Sequence, residues 1–524
     1  MAQISIIPGM KRLTNQEFLK KACDCEPELI HTEVHPVNLV RVENKGGIQP
    51  KVTVVDRAAA AKNYPQRKGD RLCFDFGDHQ VGYVTLTLNQ TGSPQDAPAF
   101  VKLKFGEIAK EIIEDSADYD GWISRGWIQE EYLHFDMLPT TIRLPRRYAF
   151  RYFEITTIDT SAKFSLIVEA VSCDAVSCVK LDDAPALHTD HKLFERLDRV
   201  SLRTLQNCMQ TVFEDGPKRD RRLWLGDLRL QALANYKTFR NTDLVKRCLY
   251  LFGGLTRDDG RIGACLFTEP KYLVDDTFLF DYSLFFINTL LDYYKETTDI
   301  DTLRDLWPIA RRQLELSADF FYENNLVKPL DGFWCFIDWQ QGLNKQAAAQ
   351  AVYIYAAKAA VKIADILNDN EAVRRYSADI ELKTAAAMTL FEPESGLFVS
   401  GMEHQLSCAS QVWMILAGVV TPKAGKEMLS RIRERGLEKE MVSPYMNHHY
   451  VEALLVCGEK ALAKEHLNYY WGGMLEHGAD TFWELYNPVN PSESPYGSSI
   501  VNSYCHAWSC TPTYLIRTFF QDEQ

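Results

Sequence analysis

Hydrophobic residues recur at every second position in the first third of the chain. Between about residues 71 and 177, Val84, Leu86 and Leu88 form one such run, and further runs lie near residues 101, 153 and 164. A period of two is typical of a strand whose side chains alternate between two faces. Turn-forming residues, such as those at 91–94, separate the runs. The pattern predicts an antiparallel β-sandwich.

The hydrophobic period changes to 3.6 after about residue 187, starting with Leu193, Leu197, Val200 and Leu205. This period is typical of amphipathic helices and continues to the end of the chain. The change divides the chain into two predicted domains, 1–186 and 187–524. Twelve helical segments, equivalent to six hairpins, are predicted to begin near residues 191, 226, 242, 276, 301, 344, 369, 404, 422, 445, 459 and 502.

Some of these helices are apolar nearly all round, notably residues 278–287 and 347–360. Such helices are buried on every side, whereas amphipathic helices face water on one side. The absence of a strict 34- or 40-residue repeat argues against an open solenoid. We therefore predict a mainly α fold, a double-layered (α/α)6 toroid, preceded by an all-β domain.

Composition narrows the class of partner. At 524 residues the chain is too long for one ordinary core. Its 58 Lys and Arg against 71 Asp and Glu give a net charge of -13, which repels nucleic-acid phosphates and anionic membranes. We expect neither partner. The N-terminal residues lack a signal-peptide pattern and the 13 Cys lack disulfide or zinc-site spacing. We therefore expect a cytoplasmic protein without metal.

Charged residues are concentrated in a predicted loop between two helices, at 213–227. Glycine and proline interrupt the helical period there, and Asp215, Arg219, Asp220 and Asp227 surround a single large aromatic residue, Trp224. Charge-dense loops are more often simply solvated. The indole in this loop favours a binding role instead.

A second group combines acids with aromatic residues in other loops between helices. Glu484 follows Trp483, Trp339 follows an aspartate, and His506 lies among polar and aromatic neighbours. A carboxyl among aromatic rings is a candidate for a raised pKa, although a buried carboxylate paired with arginine is an equally good interpretation. A sugar pocket needs such acids and aromatics at one rim. No motif of a metalloprotease, nucleotide-binding or serine hydrolase site competes, and no cofactor is expected.

These motifs resemble glycoside hydrolase family 78, the bacterial α-L-rhamnosidases. The family's signature loop, roughly Asp-Cys-Pro-x-Arg-Glu-Arg-x-x-Trp-x-Gly-Asp, is matched at Asp215, Pro217, Arg219, Arg221, Trp224, Gly226 and Asp227. Its later motifs are matched at Thr481, Trp483 and Glu484, and at His506, Trp508 and Ser509. The segments 75–83 and 105–107 are similar to the β-sandwich that precedes the family's (α/α)6 toroid.

The resemblance implies an inverting hydrolysis of terminal α-L-rhamnose from small glycosides. It makes Asp220 the general acid, where the family usually has Glu, and Glu484 the general base. The implied substrate-binding residues are Asp215, Arg219, Trp224, Asp227, Trp339, Trp483 and His506, with Asp276 a weaker candidate. A minimal two-domain form and a homodimer are also expected.

Two alternatives stay open from the sequence. The chain could be another toroidal glycosidase with a different sugar, which inert rhamnosides would favour. It could also be a carbohydrate-binding relative without activity, because Asp220 is one methylene shorter than the usual Glu. Binding of rhamnose without turnover of any rhamnoside would favour that second alternative.

Overall fold

Strands predominate up to Ser177 and helices predominate after Lys192. The computed structural model describes residues 11–329 and 335–520, and all structural statements concern these residues. The elements of the first part are β1 (Arg12–Thr14), α1 (Gln16–Asp24), β2 (Ile30–Val34), β3 (Asn38–Glu43), β4 (Lys51–Arg57), β5 (Arg71–Gly92), β6 (Ala99–Gly106), α2 (Ala109–Ile113), β7 (Glu130–Phe135), β8 (Thr140–Arg143), β9 (Tyr148–Asp159) and β10 (Phe164–Ser177).

Strands β2 to β10 are linked into one antiparallel, nine-stranded network. The long strand β5 pairs with β3 and β9 along its first half and with β8 and β10 along its second. Val84, Leu86 and Leu88 on β5 are fully buried, as their alternation predicts. The predicted N-terminal antiparallel domain is confirmed. Its strands form one continuous hydrogen-bonded network, because β5 pairs with β3 and β9 and also with β8 and β10.

The second part is helical with short strand pairs. Its helices are α3 (Lys192–Cys208), α4 (Leu225–Tyr236), α5 (Thr242–Gly254), α6 (Phe280–Thr297), α7 (Ile300–Ser317), α8 (Gln346–Ile366), α9 (Asn370–Met388), α10 (Cys408–Leu416), α11 (Pro422–Arg435), α12 (Pro444–Val456), α13 (Lys460–Leu467), α14 (Gly473–Glu476) and α15 (Pro512–Phe519). The strands are β11 (Leu223–Trp224), β12 (Leu255–Arg257), β13 (Cys265–Phe267), β14 (Leu273–Val274), β15 (Phe391–Glu392), β16 (Leu397–Ser400) and β17 (Gln405–Leu406).

Six of these helices form a closed inner ring. Contacts run from α4 to α6, α8, α10, α12 and α15, and α15 contacts α4 again. Every residue of α4 is buried, and the alanine-rich α8 is buried over most of its surface. The alternate helices α3, α5, α7, α9, α11 and α13 lie outside this ring, and fewer than half of the residues of α7, α9 and α11 are buried. The predicted six-hairpin toroid is confirmed.

One predicted helix start is wrong. Each predicted start from near 191 to near 459 lies within four residues of an observed one, but the last helix, predicted near 502, begins at Pro512. Proline is favoured in the first turn of a helix because it has no N–H to lose. The preceding residues, including His506, form a loop whose backbone pairs with the segment around Phe482. In the described part of the chain, no helix combines the length and apolar character needed to cross a membrane.

The segment before the sheet contacts the helical domain. Strand β1 pairs with β12, and α1 packs against α5. The guanidinium of Arg247 on α5 donates a hydrogen bond to the backbone carbonyl of Ala22 at 2.8 Å. The residues before the sheet, β1 and α1, are thus held against the helical domain.

Candidate active site

Asp215 organises the loop between α3 and α4. Its carboxylate accepts the backbone N–H groups of Asp220 and Arg222, both at 3.1 Å, and its carbonyl accepts the N–H of Ala507 at 2.8 Å. The side chain is buried. Burial and the neighbouring charge of Asp220 raise the pKa of Asp215 to about 8. The turn between Asp215 and Arg222 therefore presents Asp220 towards the toroid's rim while Asp215 stays inside.

Arg219 contacts both predicted catalytic carboxylates. One guanidinium nitrogen lies 3.5 Å from Asp220 Oδ1, and the other donates to Glu484 Oε2. Its Nε donates to the carbonyl of Val501 at 3.0 Å, and its guanidinium lies 4.1 Å from the ring centre of Tyr496. These contacts fix the position of the Arg219 side chain. The structure brings Asp220 and Glu484 to the two terminal nitrogens of one guanidinium.

Glu484 has hydrogen-bond donors on both carboxylate oxygens. Oε2 accepts from Arg219 and from the Ser503 N–H at 3.2 Å, and Oε1 accepts from the hydroxyl of Tyr496. The backbone carbonyl of Glu484 accepts the indole N–H of Trp508 at 3.0 Å. Both carboxylate oxygens of Glu484 thus have hydrogen-bond donors within the site. The sequence interpretation of Glu484 as an acid paired with arginine is therefore correct and compatible with a site role.

Sequence reasoning missed Tyr496. It lies in the loop between α14 and α15, where no periodicity or motif distinguishes it from the other 23 tyrosines. Its link to Glu484 and Arg219 depends on how this loop folds back over the site. An aromatic residue in a loop rich in proline and serine was the one available signal, and it is not specific.

Asp227 and His506 form a polar cluster beside Asp215. His506 Nδ1 lies 3.5 Å from Asp227 Oδ1, and Nε2 lies 3.8 Å from Asp215 Oδ2. Burial, with the charge of Arg219, lowers the pKa of His506 to about 3. Burial and Asp215 hold the pKa of Asp227 well above its ordinary value. Burial thus favours the neutral forms of these side chains, which can form hydrogen bonds with hydroxyl groups.

The three predicted tryptophans occupy different environments. Trp224 is half-buried, edge-on to Tyr282 at 6.4 Å, and Trp339 is half-buried beside Tyr496 at 6.1 Å. Trp483 is 1% exposed and packs against two tyrosines in the core. The indole nitrogens of all three, with Asp227 Oδ1 and His506 Nδ1, are buried without a hydrogen-bond partner among the described residues. Trp224 and Trp339 thus keep some exposed ring surface, whereas Trp483 is part of the core.

Asp276 lies apart from these residues. It follows β14, which joins the loop through β13 and β11. Burial and the charge of Asp275 raise its pKa. No direct contact with the other predicted site residues occurs in the described structure. Its weaker status as a binding candidate stays a prediction.

A group on the inner helix α12 has metal-ligand chemistry. The ligand atoms of His448, His449 and Glu452 lie within 4.8 Å of one another. Burial and the positive charge of Arg229 lower the pKa of His448 to about 3. A neighbouring cation opposes the binding of a metal ion. Both ring nitrogens of His448, with His449 Nε2 and Glu452 Oε2, are buried without a hydrogen-bond partner among the described residues.

Known families match both parts of the chain. The model described as the glycosyl hydrolase family 78 alpha-rhamnosidase N-terminal domain matches residues 36–175. The model described as the bacterial alpha-L-rhamnosidase 6 hairpin glycosidase domain matches residues 182–518. No curated protein matches the chain.

Solved structures match the whole fold. The chain is similar to a rhamnosidase from Klebsiella oxytoca with rhamnose bound, with a TM-score of 0.95 and 44% identity over 97% of this chain and 100% of that chain. The family 78 rhamnosidase of Bacillus sp. GL1 matches with a TM-score of 0.71 and 19% identity, over 91% of this chain and 50% of that one. An α-L-rhamnosidase from Streptomyces avermitilis complexed with L-rhamnose matches with a TM-score of 0.65 and 17% identity, over 94% and 44% respectively. The last two matches show the shared fold alone.

Proposed function

The chain belongs to glycoside hydrolase family 78, the α-L-rhamnosidases, and we propose that it removes terminal α-L-rhamnose from small glycosides by inversion. Asp220 in its protonated form donates to the glycosidic oxygen. Glu484 takes a proton from the water that attacks the anomeric carbon from the opposite face. The first product is β-L-rhamnose.

The observation that carries this proposal is the contact of the Arg219 guanidinium with both carboxylates. The contact places both carboxylates at one guanidinium. Inverting enzymes need about 6.5–9.5 Å between their carboxyl groups to admit a water, whereas retaining enzymes need about 5–5.5 Å. Single displacement is the part of the proposal that the resemblance to family 78 implies, and it requires the longer separation.

Exposure supports the division of roles between the two aspartates in the loop. The Asp220 side chain is 20% exposed, whereas that of Asp215 is 6% exposed and accepts two backbone N–H groups. A general acid must reach the leaving oxygen. Asp220 is the more accessible of the two, and Asp215 is the alternative acid.

The sugar ring is proposed to bind between the polar cluster and the half-buried indoles. Asp215, Asp227 and His506 supply hydroxyl contacts, and Trp224 and Trp339 supply apolar surface. Unpartnered polar atoms at this position support the assignment, because a buried polar atom without a partner is costly unless a ligand or water satisfies it. The Klebsiella relative holds rhamnose.

Activity on a panel of nitrophenyl glycosides tests the substrate, and proton NMR during the first minutes of hydrolysis tests the stereochemistry. The proposal expects the α-L-rhamnoside to be cleaved and the β anomer to appear first. An initial α anomer contradicts single displacement. Cleavage of another glycoside with an inert rhamnoside supports a different toroidal glycosidase, and rhamnose binding without any turnover supports a sugar-binding protein.

Small substrates and a cytoplasmic site of action are part of the same proposal. The expectation follows from the prediction of a cytoplasmic protein, to which small imported glycosides would be available. Disaccharides and plant-type glycosides are therefore expected to be cleaved faster than intact polymers. Faster degradation of a rhamnose-containing polymer, or recovery of the native protein outside the cell, contradicts this part.

A further inference from the structure

His79 and Glu107 lie in two N-terminal motifs whose charged side chains are buried. His79 is on β5, Glu107 directly follows β6, and they are 0% and 1% exposed. His79 Nε2 lies 3.1 Å from Glu107 Oε1, and its other ring nitrogen lies 2.8 Å from the amide of Asn207 on α3. Buried charged groups are costly unless they are paired. A sheet core alone does not require them.

Glu107 contacts both segments that hold the predicted catalytic carboxylates. Its Oε2 accepts the N–H of Tyr504 at 2.6 Å and lies 3.1 Å from Lys218 Nζ. Lys218 directly precedes Arg219 and Asp220. Tyr504 directly follows Ser503, whose N–H donates to Glu484. One carboxylate of the β domain therefore joins the loop of the acid to the segment that holds the base.

Glu111 on α2 completes this contact. Its Oε1 lies 2.7 Å from Lys218 Nζ, and its Oε2 accepts the N–H groups of Glu107 and Ile108 at 2.6 and 3.0 Å. Lys218 also donates to the carbonyl of Asn502. The Lys218 side chain is 1% exposed, and its Nζ also lies 5.3 Å from the ring centre of Tyr504.

Lys218 and Glu107 stabilise each other's charged forms, whereas burial and the charge of Glu107 raise the pKa of Glu111. Burial lowers the pKa of Lys218, but Glu107 and Glu111 outweigh it and the net pKa is raised. Burial raises the pKa of Glu107, but Lys218 and His79 outweigh it and the net pKa is lowered. The contact is thus an ion pair, which fixes distance more tightly than apolar packing does. Gly106 allows it, because a Cβ there would lie 2.8 Å from the carbonyl of Ile108.

We propose that Glu107 and Lys218 are positioning residues that set the register between Asp220 and Glu484, so that the β domain takes part in catalysis. The inference rests on the proposed roles of those two carboxylates. The acid and the base must each stand within hydrogen-bond reach of their target at the same moment. A shift of one segment by about 1 Å costs about 100-fold in rate. Neither Glu107 nor Lys218 lies in the proposed sugar pocket.

Glu107→Gln and Lys218→Met test the proposal, because each removes a charge and nearly keeps the side-chain shape. We expect kcat on an α-L-rhamnoside to fall about 100-fold in either variant. The dissociation constant of free L-rhamnose, measured by titration calorimetry, should stay the same within about threefold, since the pocket residues are untouched. The double variant should lose no more than the worse single variant, because both changes break one contact.

Asp198→Asn is the matched control. Asp198 on α3 forms a buried ion pair with Arg517 on α15, at 2.7 Å, and contacts neither catalytic segment. This variant should lower the unfolding temperature without lowering kcat. If it lowers kcat as much as Glu107→Gln does, the effect is general destabilisation and the inference is wrong.

The remaining outcomes separate this inference from the proposed function. An active parent with unchanged kcat in both test variants overturns the inference alone. A loss of rhamnose affinity equal to the loss of kcat shows a binding role and also overturns it. A parent that cleaves no rhamnoside overturns the proposed function and the inference together.

Discussion

At the scale of single residues, Asp220 and Glu484 should respond differently to the quality of the leaving group. A general acid contributes about 100- to 10,000-fold when the leaving group needs a proton. Asp220→Asn should therefore greatly lower kcat on natural rhamnosides. It should lower kcat much less on a nitrophenyl rhamnoside, because nitrophenolate leaves unprotonated. Glu484→Gln should greatly lower kcat on both substrates, since the attacking water must be activated in either case. The measurement is kcat on the two substrates.

If Asp220→Asn lowers kcat equally on substrates with good and poor leaving groups, Asp220 is a binding residue. Asp215, whose pKa is raised to about 8, would then become the leading acid. The comparison with Glu484→Gln is the internal control, since both variants replace a carboxylate by its amide.

Asp215 should also give the protein a specific pH dependence of stability. Its pKa is raised from 3.8 to about 8, so between these values the native state holds a proton that the unfolded chain has lost. The free energy of unfolding therefore falls as pH rises through this window and levels off above it. Asp215→Asn should make the fall shallower by up to about 1.4 kcal/mol per pH unit. Urea unfolding at pH 5 to 8 measures the slope, and an unchanged slope contradicts the assignment.

At the scale of elements, Gly226 lets α4 pack against α6 beside the pocket. A Cβ at this position would overlap the ring of Tyr282, which lies edge-on to Trp224. Gly226→Ala should lower the free energy of unfolding by about 1–3 kcal/mol through overpacking. It should also raise KM for the rhamnoside, because Tyr282 must move against Trp224.

The steric cause can be tested by shortening the neighbour. In Gly226→Ala with Tyr282→Leu, stability should recover relative to the sum of the two single changes. Purely additive losses would mean that the alanine acts on α4 itself and not through the ring of Tyr282.

At the scale of the whole molecule, we expect a homodimer. Large aromatic side chains are exposed on the described surface, including Trp122 at 49% and Tyr132 at 54%. Where such side chains lie together in one contiguous patch, they can form an association face. Light scattering during size-exclusion chromatography should give twice the chain mass of 60.0 kDa. A mass of 60.0 kDa at every concentration tested would contradict it.

The sequence by itself determined the class of each domain and much of the candidate site. Alternation in β5 and the 3.6 period after residue 187 depend on local geometry, so they reveal strands and helices without any knowledge of packing. Asp215, Asp220, Trp224 and Asp227 lie close together in the sequence, and a fixed spacing makes such a group recognisable from the sequence alone.

Only the tertiary structure decided which distant residues meet. Tyr496 reaches Glu484, and Glu107 reaches Lys218 and Tyr504, across 397 positions in the last case. These contacts depend on closure of the helical ring and on the β domain packing against its rim, which no local period encodes. The last helix begins at Pro512 and not near residue 502 as predicted, because a long-range backbone contact replaces the helical turn there. The backbone around His506 pairs with the segment of Phe482 instead of with its own next turn.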